Sequence, residues 1–210
     1  MSGTSDNLQR KQLRQTLKSR RDALSSDQRA QAESDIVSHL LALTQWPQTH
    51  HIASYRAQAG EVGTQMIEDA VFATDKQLYL PVINNPSNNS DSNEAAMDYF
   101  AHTAGQTLVA NCYGILEPIP SPTCQPVSVS QLDWVLVPIL GADAQGYRLG
   151  HGAGYFDRYF AHLNARPRPG RPLLIGLAFS CQQIDSISPQ AWDVPLNALV
   201  TETGATWFDT

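Results

Sequence analysis

Cysteine is scarce in this 210-residue sequence: Cys112, Cys124 and Cys181 are odd in number, far apart and form no C-x-x-C pair. That excludes a disulfide framework and suits a reducing compartment, with the three thiols expected as small buried hydrophobes. Charge is also scarce. Asp, Glu, Lys and Arg make up 16% of the chain, against about 25% in an average domain, which excludes a long coiled coil and a charge-driven disordered chain. No apolar run approaches the roughly 20 residues of a membrane span. The opening MSGTSDNLQRKQLRQ has no apolar signal core, so a cytoplasmic protein without a membrane partner is expected. The six histidines form no H-x-x-x-H pair, and the chain has neither a G-x-S-x-G elbow nor a Walker A loop; zinc and a serine nucleophile are not expected.

What is present is enough to build a core. Hydrophobic residues reach 42%, and the length suits one domain over residues 1–210. The net charge of -6 argues against nonspecific nucleic-acid binding. Its layout is uneven. Seven of the 14 Lys and Arg lie in the first 29 residues, five lie between 148 and 171, and only Arg56 and Lys76 occupy the long acidic middle. Two distant cationic regions of an acidic chain either converge on one anionic ligand or are solvated faces.

The hydrophobic rhythm predicts a helix over 6–24 with Asp6 as N-cap, and a second helix capped by Ser25 or Ser26 and stopped by Pro47. Strands are predicted at His51–Ala57, Gln77–Ile83, from Met97, at Leu132–Leu140, at Pro172–Phe179 and at Ala198–Thr201. A helix is expected from Thr64 to Ala73 and another through Phe156, Tyr159, Phe160 and Leu163. The polar run 84–94 and the Pro/Ser-rich stretch 117–130 read as loops. LDWVLVPIL at 132–140 is the most apolar strand and so is expected at the centre, parallel to the strand at 172–179. The class is α/β in three layers, α/β/α, with a mostly parallel sheet and an N-terminal helical pair.

Four constellations carry possible chemistry. Gly150, Gly152 and Gly154 alternate after the central strand and lead into a helix, a setting in which backbone N–H groups bind phosphate. Arg148 precedes them as a fork donor, and Asp157 follows as an oxygen ligand for Mg²⁺; the alternative is a tight turn shaped by glycine alone. Arg10, Arg14 and Lys18 recur at i, i+4 and i+8 as one cationic stripe flanked by Lys11 and Arg21, with Leu13 and Leu17 on another face. Glu61 stands before a helix start, either as a ligand-binding carboxylate or as a first-turn charge. Asp193, in WDVP, is either a second metal ligand near Asp157 or a turn-forming aspartate.

In this order the motifs R-K-x-L-R, G-E-V-x-T, R-L-G-x-G-x-G-Y-F-D and W-D-V-P-L, with LPV, LEP and VTE, resemble the 5-formyltetrahydrofolate cyclo-ligase family, also called 5,10-methenyltetrahydrofolate synthetase. The likeness runs from about Arg10 to Thr201. It implies a NagB/RpiA-like fold and an ATP- and Mg²⁺-dependent closure of 5-formyltetrahydrofolate to 5,10-methenyltetrahydrofolate, by a monomer, through a phosphorylated formyl group. It implies ATP contacts from Arg10, Lys11, Arg14 and the run Arg148, Leu149, Gly150, His151, Gly152, Ala153, Gly154, Tyr155 and Phe156. Folate would meet Arg56, Glu61, His151 and Tyr155, and Mg²⁺ would meet Asp157 and Asp193. Two departures stand out: Ala153 replaces a frequent glycine or lysine, and Phe156 a frequent tyrosine. A non-catalytic nucleotide- or folate-binding relative, or another small-molecule enzyme on this fold, are the alternatives.

Overall fold

The computed structural model describes residues 2–58, 60–84, 96–121, 123–152, 154–161, 163, 170, 172–190 and 192–209. In chain order its elements are α1 (Ser2–Asp22), α2 (Ser26–Leu41), β1 (His51–Ala53), α3 (Gln65–Phe72), β2 (Gln77–Asn84), β3 (Ala96–His102), β4 (Leu108–Ala110) and β5 (Leu116–Pro118). The remainder are β6 (Trp134–Pro138), β7 (Gly141–Ala142), β8 (Arg148–Leu149), α4 (Tyr155–Phe160), β9 (Leu173–Leu177), β10 (Ala198–Thr201) and β11 (Gly204–Trp207). The loop at 84–94 and the cations Arg166, Arg168 and Arg171 lie almost wholly outside the described residues.

Seven strands form one sheet in the order β11-β10-β9-β6-β1-β2-β3. The inner five are parallel, and the two edges, β3 and β11, are antiparallel. The apolar run around Val135 is the fourth of seven strands, buried on both faces as its composition requires. Its alternate residues divide between two cores. Trp134 and Leu136 join Ile36 and Leu40 of α2 and Ile67 and Val71 of α3. Val135 and Val137 join Tyr99 of β3 and Phe160 of α4. Helices therefore cover both faces. No helix among the described residues is long and apolar enough to cross a membrane.

Several boundaries differ from the sequence expectation. Helix α1 begins at Ser2, so Asp6 lies inside it and is not its cap. Ser25 does cap α2: its hydroxyl accepts the Gln28 N–H at 3.2 Å, while Gln28 Oε1 accepts the Ser25 N–H at 2.9 Å. That helix ends at Leu41, and Pro47 opens a separate 3-10 turn at Trp46–Gln48. Strand β1 stops at Ala53. The stretch 117–130 is not all loop: β5 pairs back onto β4 across a turn in which Asn111 Oδ1 accepts the N–H groups of Tyr113 (2.8 Å) and Ile115 (3.0 Å). The cysteines are not buried hydrophobes: Cys112 is exposed, and Cys124 and Cys181 are half-buried. Of the two mid-chain cations, Lys76 is internal and donates to the carbonyls of Trp46 (3.0 Å) and Thr49 (2.7 Å).

One buried carboxylate sets where β1 enters the sheet. Asp133 Oδ2 accepts the N–H groups of His50 at 2.7 Å and His51 at 3.0 Å, just before β6. Asp133→Ala leaves both donors without that acceptor. The variant is expected to lose about 2–4 kcal/mol of stability, read as a lower urea midpoint at unchanged slope; an unchanged midpoint contradicts this role.

Candidate active site

The strand ends and one helix build the site. After β6 the chain makes the β7–β8 hairpin and then the glycine run, beyond the carboxyl ends of the parallel strands. Helix α1 lies across this hairpin because Gly141 lets it approach: a Cβ there would stand 2.6 Å from Leu17 Cδ1. Leu17, Leu149 and Ile187 form a small core with Leu13 beneath the helix. At 100° per residue Arg10, Arg14, Leu17 and Arg21 share one face. The leucines and these arginines thus point inward together, not on separate faces, while Lys18 and Lys11 are exposed.

The docked helix delivers two guanidinium groups. Arg14 Nε donates to the Gly150 carbonyl at 3.0 Å, and the Arg14 guanidinium lies beside Gly152. Arg10 Nη2 donates to Asp193 Oδ2 at 2.8 Å and to the Ser188 carbonyl at 2.7 Å. The Gln190 N–H donates to the same Asp193 oxygen at 2.9 Å. Arg21, which flanks the cationic stripe in the sequence, is not on a solvated face but is buried beneath the Gly60 turn near Glu61.

Arg148 is held inside the protein. Its guanidinium donates to Asp157 Oδ1 and to the Val194 carbonyl. It is therefore the counter-ion of Asp157 as well as a wall of the cavity described below. Burial raises the Asp157 carboxyl, Arg148 opposes that, and nearby Asp193 adds to it. Gly154, at φ 68°, starts α4 in a left-handed conformation that favours glycine. That helix has only six residues and does not reach Leu163, so loop backbone and arginines, more than a helix dipole, supply positive potential here. Ala153 lies outside the described residues.

Glu61 closes the turn after β1. Its Oε2 accepts the Gln58 N–H at 2.7 Å, and its Oε1 stands 3.3 Å from His151 Nδ1. Burial raises the Glu61 carboxyl; the Gln58 N–H and Arg21 partly offset this. Burial, then Arg21, Arg14 and Lys18, lower the His151 imidazole, so it is neutral at pH 7. Between these groups lies a cavity of about 280 Å³ reached by Glu61, His151, Tyr155, Phe156, Arg148 and Asp157. The Tyr155 hydroxyl meets that of Tyr113 at 3.0 Å, and burial together with Tyr113 pushes the Tyr155 phenol up to about 12, so it stays neutral. Arg56 also lines the cavity, but its guanidinium is turned to Glu68 Oε2 at 3.0 Å and His102 Nε2 at 3.2 Å.

Most of the expected site residues therefore meet. Arg14, Arg148, Glu61, His151, Tyr155, Phe156 and Asp157 surround the loop and cavity, and the Arg10–Asp193 pair lies alongside. Two do not join them: Lys11 is exposed, and Leu149 turns its side chain into the core under α1. Sequence reasoning missed Arg21, although its i+7 spacing from Arg14 was a signal, and missed Tyr113, whose hairpin carried none. No group of three or more His, Cys, Asp or Glu side chains forms a metal cage among the described residues. Asp157 and Asp193 each commit one oxygen to an arginine. The donor set left over fits Mg²⁺, which keeps several waters and takes one or two carboxylates plus phosphate oxygens.

The profile of the 5-formyltetrahydrofolate cyclo-ligase family matches residues 6–202. The chain is similar to a 5-formyltetrahydrofolate cyclo-ligase of Haemophilus influenzae, at 28% identity over 187 residues, covering 89% of this chain and 94% of that one. Its fold is similar to the solution structure of Aquifex aeolicus 5,10-methenyltetrahydrofolate synthetase, with a TM-score of 0.75, 28% identity and coverage of 96% and 93%. A Mycoplasma pneumoniae 5,10-methenyltetrahydrofolate synthetase shares the fold, with a TM-score of 0.66, 24% identity and coverage of 96% and 99%.

The raised Glu61 carboxyl makes a signed prediction. Its ionised form is disfavoured in the folded state, so Glu61 detracts from stability once the pH exceeds the ordinary carboxylate range, and the loss fades as pH falls and the group protonates in both states. Glu61→Gln is therefore expected to melt above the parent at pH 8, with the difference shrinking toward pH 4. A variant that melts below the parent at pH 8 contradicts this electrostatic account.

Proposed function

The chain belongs to the 5-formyltetrahydrofolate cyclo-ligase family, and on that footing we propose that it closes 5-formyltetrahydrofolate to 5,10-methenyltetrahydrofolate, converting ATP to ADP and phosphate with Mg²⁺ present. The observation that carries this reading is the convergence of an arginine-bearing helix, a glycine loop and a Glu61-edged cavity at one set of strand ends. A charged triphosphate and a flat heterocycle need those two neighbouring environments.

The chemistry explains the arrangement. A formyl oxygen on N5 is amide-like and leaves poorly. The γ-phosphoryl group passes to that oxygen and ADP departs. The N10 lone pair then attacks the formyl carbon and N10 gives up its proton. Phosphate leaves with the C–O electron pair, giving the methenyl cation. Positioning and charge neutralisation supply most of the catalysis in such a transfer.

In this reading Arg10, Arg14 and the loop Arg148–Phe156 meet the phosphates, and Lys11 adds long-range positive potential from the exposed side of α1. Arg148 holds Asp157 in place. Asp157 and Asp193 would hold Mg²⁺, which would supply neutralisation of the phosphate charge. Glu61 accepts from the pterin ring, with Arg56, His151 and Tyr155 around it; neutral His151 lets Glu61 remain an acceptor. The protein then acts as a cytoplasmic, monomeric, single-domain enzyme without a nucleic-acid partner.

The test mixes purified protein, Mg-ATP and 5-formyltetrahydrofolate and follows methenyltetrahydrofolate absorbance. One ADP is expected per product. Arg14→Ala, which removes a charged donor at the rim of the loop, is expected to raise the KM for ATP about 10- to 100-fold. Binding of either ligand with neither absorbance gain nor ADP would identify a non-catalytic relative and overturn the reading.

A further inference from the structure

Glu117 is a buried carboxylate in the cavity wall to which the proposed reaction gives no task. It stands on β5, is 6% exposed, and lines the same cavity as Glu61. Its Oε1 accepts two donors: the Ile83 N–H of β2 at 3.0 Å and Asn111 Nδ2 at 2.5 Å. Asn111 is itself fixed, because its Oδ1 takes the N–H groups of Tyr113 and Ile115. Glu117 is thus oriented from both sides, by the hairpin turn and by β2. Its second oxygen, Oε2, accepts no hydrogen bond among the described residues.

The surroundings give that oxygen a meaning. Pro81, Ile83, Met97 and Ile115 make this part of the cavity apolar. A ligand N–H seated against this wall can meet that oxygen, and a charge-assisted bond made in apolar surroundings is a strong one. An ionised carboxylate only accepts, so it selects N–H donors and repels carbonyl and carboxylate oxygens. A few fixed polar groups in an apolar pocket are what set a ligand's orientation.

We infer that Glu117 is a specificity-determining residue of this site, a second acceptor that binds the N–H donor edge of the aminopyrimidinone ring of the reduced pterin. The inference rests on the functional reading above and adds a residue to it. The ring is recognised by two carboxylates from different elements, Glu61 after β1 and Glu117 on β5. The ligand's own glutamate carboxylate is kept away from this wall, which fixes which end of the folate enters.

Glu117→Gln separates recognition from structure. The amide oxygen can still accept from Ile83 and Asn111, while the amide nitrogen puts a donor where the acceptor stood. Binding of 5-formyltetrahydrofolate without ATP, measured by calorimetry, is expected to weaken about 10- to 100-fold. The KM for the folate should rise in step, and the KM for ATP should stay as in the parent. A folate analogue lacking the 2-amino group gives a ligand-side check that does not depend on the variant's folding. It should bind the parent more weakly by a similar factor, and lose less on E117Q, where Glu61 alone still meets that edge of the ring. Equal folate binding by E117Q and parent, or the same analogue penalty on both, overturns this inference alone. A parent that binds no folate overturns the functional reading and the inference with it.

Discussion

The arrangement depends on one steric contact, Leu17 of α1 against Gly141 at the start of the β7–β8 hairpin. A side chain at position 141 would collide with Leu17. The absence of one lets the helix settle onto Leu149 and Ile187. Helical geometry does the rest: once Leu17 is seated, Arg10, Arg14 and Arg21 must point the same way. Arg14 then reaches the Gly150 carbonyl, Arg10 reaches Asp193, and Arg21 lies under the Glu61 turn. A hydrophobic contact thus places the cations, and the cations shape the site.

Electrostatics complete it at a cost in stability. Burial raises the carboxyl groups of Glu61, Glu68 and Asp157, with arginines opposing the shift in each case. Buried ion pairs seldom stabilise a fold relative to apolar residues. What these pairs do is hold charged groups in fixed positions around a cavity, ready for a ligand that alters the balance. Asp157 illustrates it: Arg148 occupies one oxygen, and the Arg10–Asp193 pair stands close by.

Sequence periodicity carried much of the fold. The apolar 132–140 run was expected at the centre and is the fourth of seven strands; a serine cap on α2, which Ser25 supplies, and the parallel pairing of the strands at 134 and 173 followed from local rules. What escaped depends on contacts between distant segments. Arg21 read as a solvated charge because nothing local says that a helix face bearing three arginines faces inward. The β4–β5 hairpin hid in a Pro/Ser-rich stretch, since its turn is made by Asn111 side-chain bonds and not by a common two-residue signature. The glycine motif marked the loop correctly, but no spacing rule could say that Arg148 would be buried against Asp157 and the Val194 carbonyl. The LEP triplet at 116–118 was visible as a pattern, while its meaning, a carboxylate facing an apolar wall, needed the fold of β2 beside β5.

The central claim is that α1 and the glycine loop act as one phosphate-binding surface. Amide hydrogen exchange with and without Mg-ATP tests it directly. Exchange in residues 10–21 and 148–157 should slow together on addition of Mg-ATP, and Gly141→Leu should abolish the response in both. Slowing of the loop with no change in α1, in a protein that binds Mg-ATP normally, would contradict the account.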